Sequence, residues 1–220
     1  VTLDLSDQIE QDLRWREAEL ASLKVLVVES DRGSVREATL LRAIWALLYA
    51  HYEGFFKFAW DLYLDHLENS RIPRNLCRRE IAELSLTKEF NRLRGNLSSS
   101  SLWTFCQEEL PQLLTNTASF EIKLDTRSNL WPQVIRENSA QAGLRCATVE
   151  SNDAKLKALV RRRNEIAHGQ KMIVRNLGEY QDYEDIALVA MHELAVEVLQ
   201  AIETKNYLNS AIQSQADSTP

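Results

Sequence analysis

The sequence predicts an all-α protein: a helical bundle with an irregular middle insertion and at most one short strand or hairpin. Three observations carry this. Apolar residues recur at three- and four-residue spacing along long stretches. Glycine and proline are scarce, with 6 and 4 copies in 220 residues, too few for the many turns of an all-β fold. Apolar residues make up 45 % of the chain and charged residues 26 %, which is enough to build a packed core.

The first helix is expected from Ser6 to Val28, with Ile9, Leu13, Leu20, Leu23 and Val27 on one face and Ser6 as its N-cap. Asp31-Arg32-Gly33 reads as the turn that ends it. A second helix runs from Ser34 to His66 with an apolar stripe of Leu41, Ile44, Leu48, Tyr52, Phe55, Ala59 and Leu62. Trp45, Phe55, Phe56 and Trp60 fit core positions. A line of small residues, Ala43, Ala46, Ala50 and Gly54, follows another side. Glycine inside a helix costs about 1 kcal/mol relative to alanine, so Gly54 predicts close approach of another backbone.

The middle, 71–149, is less regular. Pro73 is placed to start a helix, and Leu102 to Leu114 is helical with a kink or new start at Pro111. Phe120, Ile122 and Leu124 alternate with charged residues, which is the one strand signal. Ser128 to Asn138 reads as a short helix capped by Ser128. Ser151 or Asn152 then caps a helix carrying Leu156, Leu159, Val160, Ile166 and Ala167, stopped by Gly169. The last helix is expected from Asp182 to Tyr207. One domain over 1–208 and a disordered tail over 209–220 follow from this pattern.

The net charge is −6. That counts against extensive wrapping by nucleic acid but leaves room for a local basic site. Arginines cluster at Arg71, Arg74, Arg78 and Arg79, and again at Arg161, Arg162 and Arg163. The three cysteines, Cys77, Cys106 and Cys146, have no metal or disulfide spacing, so a reduced, cytoplasmic protein is expected. No secretory signal and no membrane span is read from the sequence. His66 and His192 have no partners at ligand spacing, and no metal site or cofactor is expected.

The run Leu159-Val160-Arg161-Arg162-Arg163-Asn164-Glu165-Ile166-Ala167-His168-Gly169 resembles the motif of the HEPN superfamily (higher eukaryotes and prokaryotes nucleotide-binding). That motif is an arginine, a polar residue, and a histidine a few residues on, near the end of a late helix. Arg163, Asn164 and His168 match it in turn. Leu47-Leu48-Tyr49-Ala50-His51-Tyr52-Glu53-Gly54-Phe55-Phe56-Lys57 resembles the bacterial MAE-type branch. The resemblance covers roughly Leu5 to Tyr207. It implies a HEPN-type helical bundle, two-fold dimers, and metal-independent endoribonuclease activity of a toxin–antitoxin or antiviral system, with RNA as substrate and an antitoxin protein as a further partner.

RNA can be cut without metal because its own 2′-hydroxyl can attack the adjacent phosphorus. Histidine suits the proton transfers, with an ordinary pKa of about 6.5. Arginine suits the phosphate, with a permanent charge and forked donors. This assigns His168 as general acid or base and Arg163 as the clamp on the transition state. Five residues apart on a helix they differ by roughly 140° around the axis, whereas Asn164 and His168 share a face. A homodimer whose motif helices meet would bring two copies of each into one cleft.

Plainer readings stand beside these. His168 could simply end a helix, where an imidazolium favours the dipole. Arg161 and Arg162 read as solvated charges, with phosphate steering as the alternative. Glu53 reads as a surface partner of Lys57, with a supporting role behind the cleft as the alternative. Tyr49 fits core and site equally. The runner-up function is a non-catalytic helical dimerisation or interaction module. A partner of a nucleotidyltransferase is a third reading, unsupported by any glycine-rich phosphate loop.

Overall fold

The computed structural model describes residues 4–95, 97–121, 123–124 and 127–209. It is all-α, as the sequence predicts. The helices are α1 (Leu5–Val28), α2 (Val35–Asn69), α3 (Arg79–Ser85), α4 (Thr87–Arg94), α5 (Ser99–Thr104), α6 (Leu110–Thr115), α7 (Pro132–Gln141), α8 (Ala147–Ser151), α9 (Asp153–Ala167) and α10 (Leu177–Glu203). The chain forms two compact units. The first comprises 1–59, 126–136 and 146–196, and the second 60–125, 137–145 and 197–220. The expected tail lies, from Ser210 on, outside the described residues. Asn209 is placed, donating its N–H to the Leu76 carbonyl.

In the first unit, α1 is capped by Asp4 and not by Ser6. The Asp4 carboxylate accepts the N–H groups of Ser6 and Asp7, because a carboxylate at this position also meets the positive end of the helix dipole. Gly33, at φ +75°, makes the turn into α2. Ser34 Oγ accepts the Glu37 N–H, and the Glu37 carboxylate reaches back to the Gly33 N–H, a reciprocal cap. Ile9, Leu13, Leu20 and Val27 of α1 are buried, as are Ile44, Trp45, Leu48, Tyr52, Phe55 and Phe56 of α2.

Gly54 is explained differently from the sequence expectation. The atoms nearest to a Cβ built there belong to the Arg16 guanidinium, with Nη1 at 2.9 Å, and not to another backbone. Arg16 is itself buried. It donates to the Asp12 carboxylate at 2.6 and 3.2 Å and to the His51 carbonyl at 3.3 Å. A glycine on α2 therefore leaves room for a buried ion pair carried by α1. Gly54→Ala, which in an open helix gains about 1 kcal/mol, is expected to destabilise here by a similar amount, since it displaces Arg16 from its partners. The midpoint of urea unfolding checks the sign.

His51 is buried beside this pair, edge-on to Trp15. Its Nε2 lies 2.9 Å from Glu19 Oε2 without the alignment of a hydrogen bond. Burial first, and then the Arg16 charge, hold its pKa below the ordinary value, against the pull of Glu19 and Asp12. The unfolded chain therefore binds a proton that the folded chain refuses. Stability from this group is full above the unfolded value of 6.5 and is lost as pH falls below it. Urea midpoints between pH 7.5 and 5.5 should fall less steeply in His51→Gln than in the parent.

In the second unit, the expected basic cluster is largely committed to structure. Arg74 is buried and donates to Ser85 Oγ, the Leu113 carbonyl and Ser119 Oγ. Arg78 donates to the backbone and side-chain oxygens of Asn206, and Arg79 pairs with Glu83. Pro73 precedes a 3-10 turn, Arg74–Leu76. Pro111 sits at the start of α6, directly after a π turn at Phe105–Glu109 in which the Leu110 N–H reaches back five residues to the Phe105 carbonyl. The widened turn relieves the clash that a proline ring makes with the carbonyl four residues back.

The strand expected over 120–124 is absent among the described residues, and Ile122 lies outside them. The neighbouring N–H groups are satisfied elsewhere: Ala118 donates to the Ile72 carbonyl and Phe120 to the Glu68 carboxylate. Among the described residues the bridges are isolated ones, Pro73 with Thr117 and Cys77 with Leu208. The Ser128 helix begins instead at Pro132, where a proline's missing N–H costs nothing. α10 begins at Leu177, five residues before the expected Asp182. Asn176 Oδ1 accepts the Glu179 N–H while Glu179 accepts the Arg175 N–H. No helix among the described residues is long and apolar enough to cross a membrane.

Candidate active site

The motif helix α9 buries Leu156, Leu159 and Val160. The Trp45 indole N–H donates to the Leu159 carbonyl at 3.3 Å, tying α9 to α2. Asp153 in the first turn pairs with Arg136 and Lys157. The far end closes in a Schellman motif: Gly169, at φ +71°, donates to the Ile166 carbonyl, and Gln170 donates to the Glu165 carbonyl. His168 is the C-cap residue, so its backbone is held although its side chain is exposed.

Arg163, three residues beyond Val160, is half-buried in a polar nest. Its guanidinium lies over the Tyr49 ring, 4.0 Å from the centroid. Nη1 donates to Asn129 Oδ1 at 3.1 Å and to Asn164 Oδ1 at 3.0 Å, and Nη2 reaches Glu53 Oε2 at 3.4 Å. Tyr49 Oη donates to Glu53 Oε1 at 2.9 Å and accepts the Leu130 N–H at 2.8 Å. Burial first, and then the Glu53 carboxylate, push the Tyr49 pKa well above its ordinary value, so the phenol stays a neutral donor.

Two chemical consequences follow. A guanidinium has five N–H donors, so three bonds leave Nε and one Nη2 hydrogen without a protein acceptor among the described residues. Because Asn129 and Asn164 both turn their oxygens to Arg163, both turn their NH2 groups away from it. The guanidinium hydrogens left over are charged donors suited to phosphate oxygens. The imidazole of His168 has no hydrogen bond or ion pair among the described residues, which leaves both ring nitrogens open for proton transfer.

The family model described as HEPN_MAE_28990-like HEPN matches residues 5–207. The chain belongs to this family. No curated protein and no solved structure matches it. Membership supports a general function of the RNA-binding or nuclease type.

Within this HEPN chain the motif residues take different places. Arg163, Asn164 and Glu53 come together, and Glu53 faces Arg163 and Tyr49. Asn164 is committed to Arg163 through its side-chain oxygen. The His168 backbone N–H donates to the Asn164 carbonyl at 2.9 Å, but its imidazole makes no bond to Asn164 among the described residues. Arg162 does not point to open solvent: it pairs with Glu179 at 2.7 Å and lies over the rings of Trp45 and Tyr183 at 4.9 and 5.6 Å. Arg161 is exposed. Sequence reasoning missed Asn129, which stands in an irregular loop with no periodicity to mark it. Tyr49 had a usable signal, since Tyr49 and Glu53 are i, i+4 neighbours on α2.

Proposed function

We propose that this HEPN protein is a metal-independent endoribonuclease of a toxin–antitoxin or antiviral system. The observation that supports it most is the pairing on one helix of a guanidinium braced on four sides with an exposed, uncommitted imidazole. The 2′-oxygen of the RNA attacks the adjacent phosphorus as its proton passes to a neutral His168. The bond to the 5′-oxygen breaks as that oxygen takes a proton from an imidazolium. Products end in a 2′,3′-cyclic phosphate and a 5′-hydroxyl. Arg163, with the Asn129 and Asn164 amides beside it, holds the phosphate oxygens as negative charge builds.

The arginine clamp and the histidine that moves the protons come from different subunits in this proposal. Arg163 and His168 diverge by roughly 140° around α9, so a second copy of the motif helix completes the cleft of a homodimer. Mixing Arg163→Ala with His168→Ala protein tests this. Subunit exchange should restore part of the parent's cutting, because each mixed dimer keeps one arginine and one histidine. Two inactive variants that stay inactive after proven exchange would contradict the shared cleft. The antitoxin partner of such a toxin would act by covering this site.

One observation favours the runner-up, a non-catalytic interaction module. Val25, Leu26 and Val28 near the end of α1 and Val35 at the start of α2 are exposed apolar side chains. That reading predicts no cutting by the parent, and an RNA cleavage assay separates the two.

A further inference from the structure

The Arg163 nest contains a closed loop of contacts that the motif does not explain. Arg163 bonds Asn129 and Glu53. The residue after Asn129 donates its N–H to Tyr49 Oη, and Tyr49 Oη donates to Glu53. The ring of the same tyrosine lies under the guanidinium face. Tyr49 thus meets Arg163 three times: directly through its ring, through Glu53, and through the loop that presents Asn129. Its side chain is almost wholly buried, at 1 % exposure, so no substrate atom reaches it.

We propose that Tyr49 is a positioning residue, which locks the Arg163 guanidinium and the 129–130 loop into one rigid donor cluster. It touches no reacting atom. The physical need is plain. An arginine side chain has several rotatable bonds, and Glu53 alone, at 3.4 Å, is too long a contact to hold it. A flat aromatic face restrains the plane of the guanidinium. The hydroxyl then sets where in that plane Glu53 and Asn129 sit. Glu53 also balances the Arg163 charge, so the cluster depends on the direction of its donors more than on net charge.

The role of the donors on RNA rests on the proposed nuclease reading, but the locking of Arg163 does not, and the test separates them. In the protein alone, nuclear magnetic resonance should resolve distinct Nη signals for Arg163, because rotation of a held guanidinium is slow. Tyr49→Phe keeps the ring and loses the hydroxyl. It should merge those signals and speed hydrogen exchange at the Leu130 amide, while thermal unfolding and circular dichroism report that the helices persist. Unchanged Arg163 signals in a folded Tyr49→Phe protein would overturn the proposal. Glu53→Gln, which leaves the buried ring in place and weakens the same network from a half-buried side chain, gives the same readout where the phenylalanine variant does not fold.

A second arm uses RNA carrying 2′-deoxyribose, which binds without being cut. Tyr49→Phe should weaken binding about tenfold in the parent, the size expected when a buried donor is left unmet, and should change nothing in Arg163→Ala. Equal weakening in both backgrounds would show a merely structural role and overturn the proposal. If the guanidinium is locked by Tyr49 yet the parent neither binds nor cuts RNA, the positioning stands and the nuclease reading fails.

Discussion

Arg163→Ala should lower the single-turnover rate of RNA cleavage by about a thousandfold or more, the range seen when a preorganised charge on a phosphoryl transition state is removed. The loss is expected to be this large because the structure commits four neighbours to one guanidinium. Tyr49, Glu53, Asn129 and Asn164 all hold Arg163 and so have no alternative cation to present. Arg163→Lys should fail nearly as badly. An ammonium keeps the charge but has no planar fork to bridge Asn129, Asn164 and Glu53 at once. Neither change should unfold the protein, since Arg163 is half-buried at the edge of the nest and the α9 core is made by Leu156, Leu159 and Val160. Rates measured alongside circular dichroism check both halves of this expectation.

Asp12→Ala should cost about 3–5 kcal/mol of stability, the range for leaving one member of a buried ion pair uncompensated. Asp12 accepts twice from Arg16, so its removal strands two donors of a buried guanidinium where α1 meets α2, while the exposed Trp15 indole it also accepts from can turn to water. Arg16 cannot turn to solvent cheaply, because its guanidinium fills the space over Gly54. The double change of Asp12→Leu with Arg16→Met removes both charges and should recover most of the loss, since an apolar pair of similar volume often replaces a buried ion pair without penalty. Denaturant unfolding of Asp12→Leu, Arg16→Met and the double variant measures the coupling directly.

The fold was legible because its signal is periodic. α1, α2 and α9 follow the three- and four-residue spacing of Leu13, Leu20, Ile44, Leu48, Leu156 and Leu159, and their ends sit within a few residues of expectation. α10 starts five residues before its apolar pattern predicts, because the cap made by Asn176 and Glu179 carries the helix through Gly178. The strand over 120–124 failed because alternation needs a partner strand, and Glu68 and Ile72 supply acceptors instead. Gly54 marks a close approach, but of the Arg16 side chain and not of the backbone its sequence position predicts. A buried arginine one helix away leaves no mark in the local pattern of α2.

The site was half legible. Arg163, Asn164 and His168 stand in one short run, and the spacing of Tyr49 and Glu53 was visible on α2. What sequence could not supply was their convergence. Tyr49, Asn129 and Arg163 meet across separations of 34 and more residues, and only the packing of α2, the 127–131 loop and α9 brings them together. Arg162 shows the converse. It stands beside Arg163 in the chain, but one step along the helix turns it to Glu179 and Tyr183, where it serves structure.

The most direct test of the account is single-turnover cleavage of RNA with a chelator in excess, comparing the parent with His168→Ala. The parent should cut undiminished and leave 2′,3′-cyclic phosphate ends, and His168→Ala should be slower by about a hundredfold or more, the span of general acid–base catalysis. Cutting that the chelator abolishes, or that His168→Ala performs as well as the parent, would contradict it.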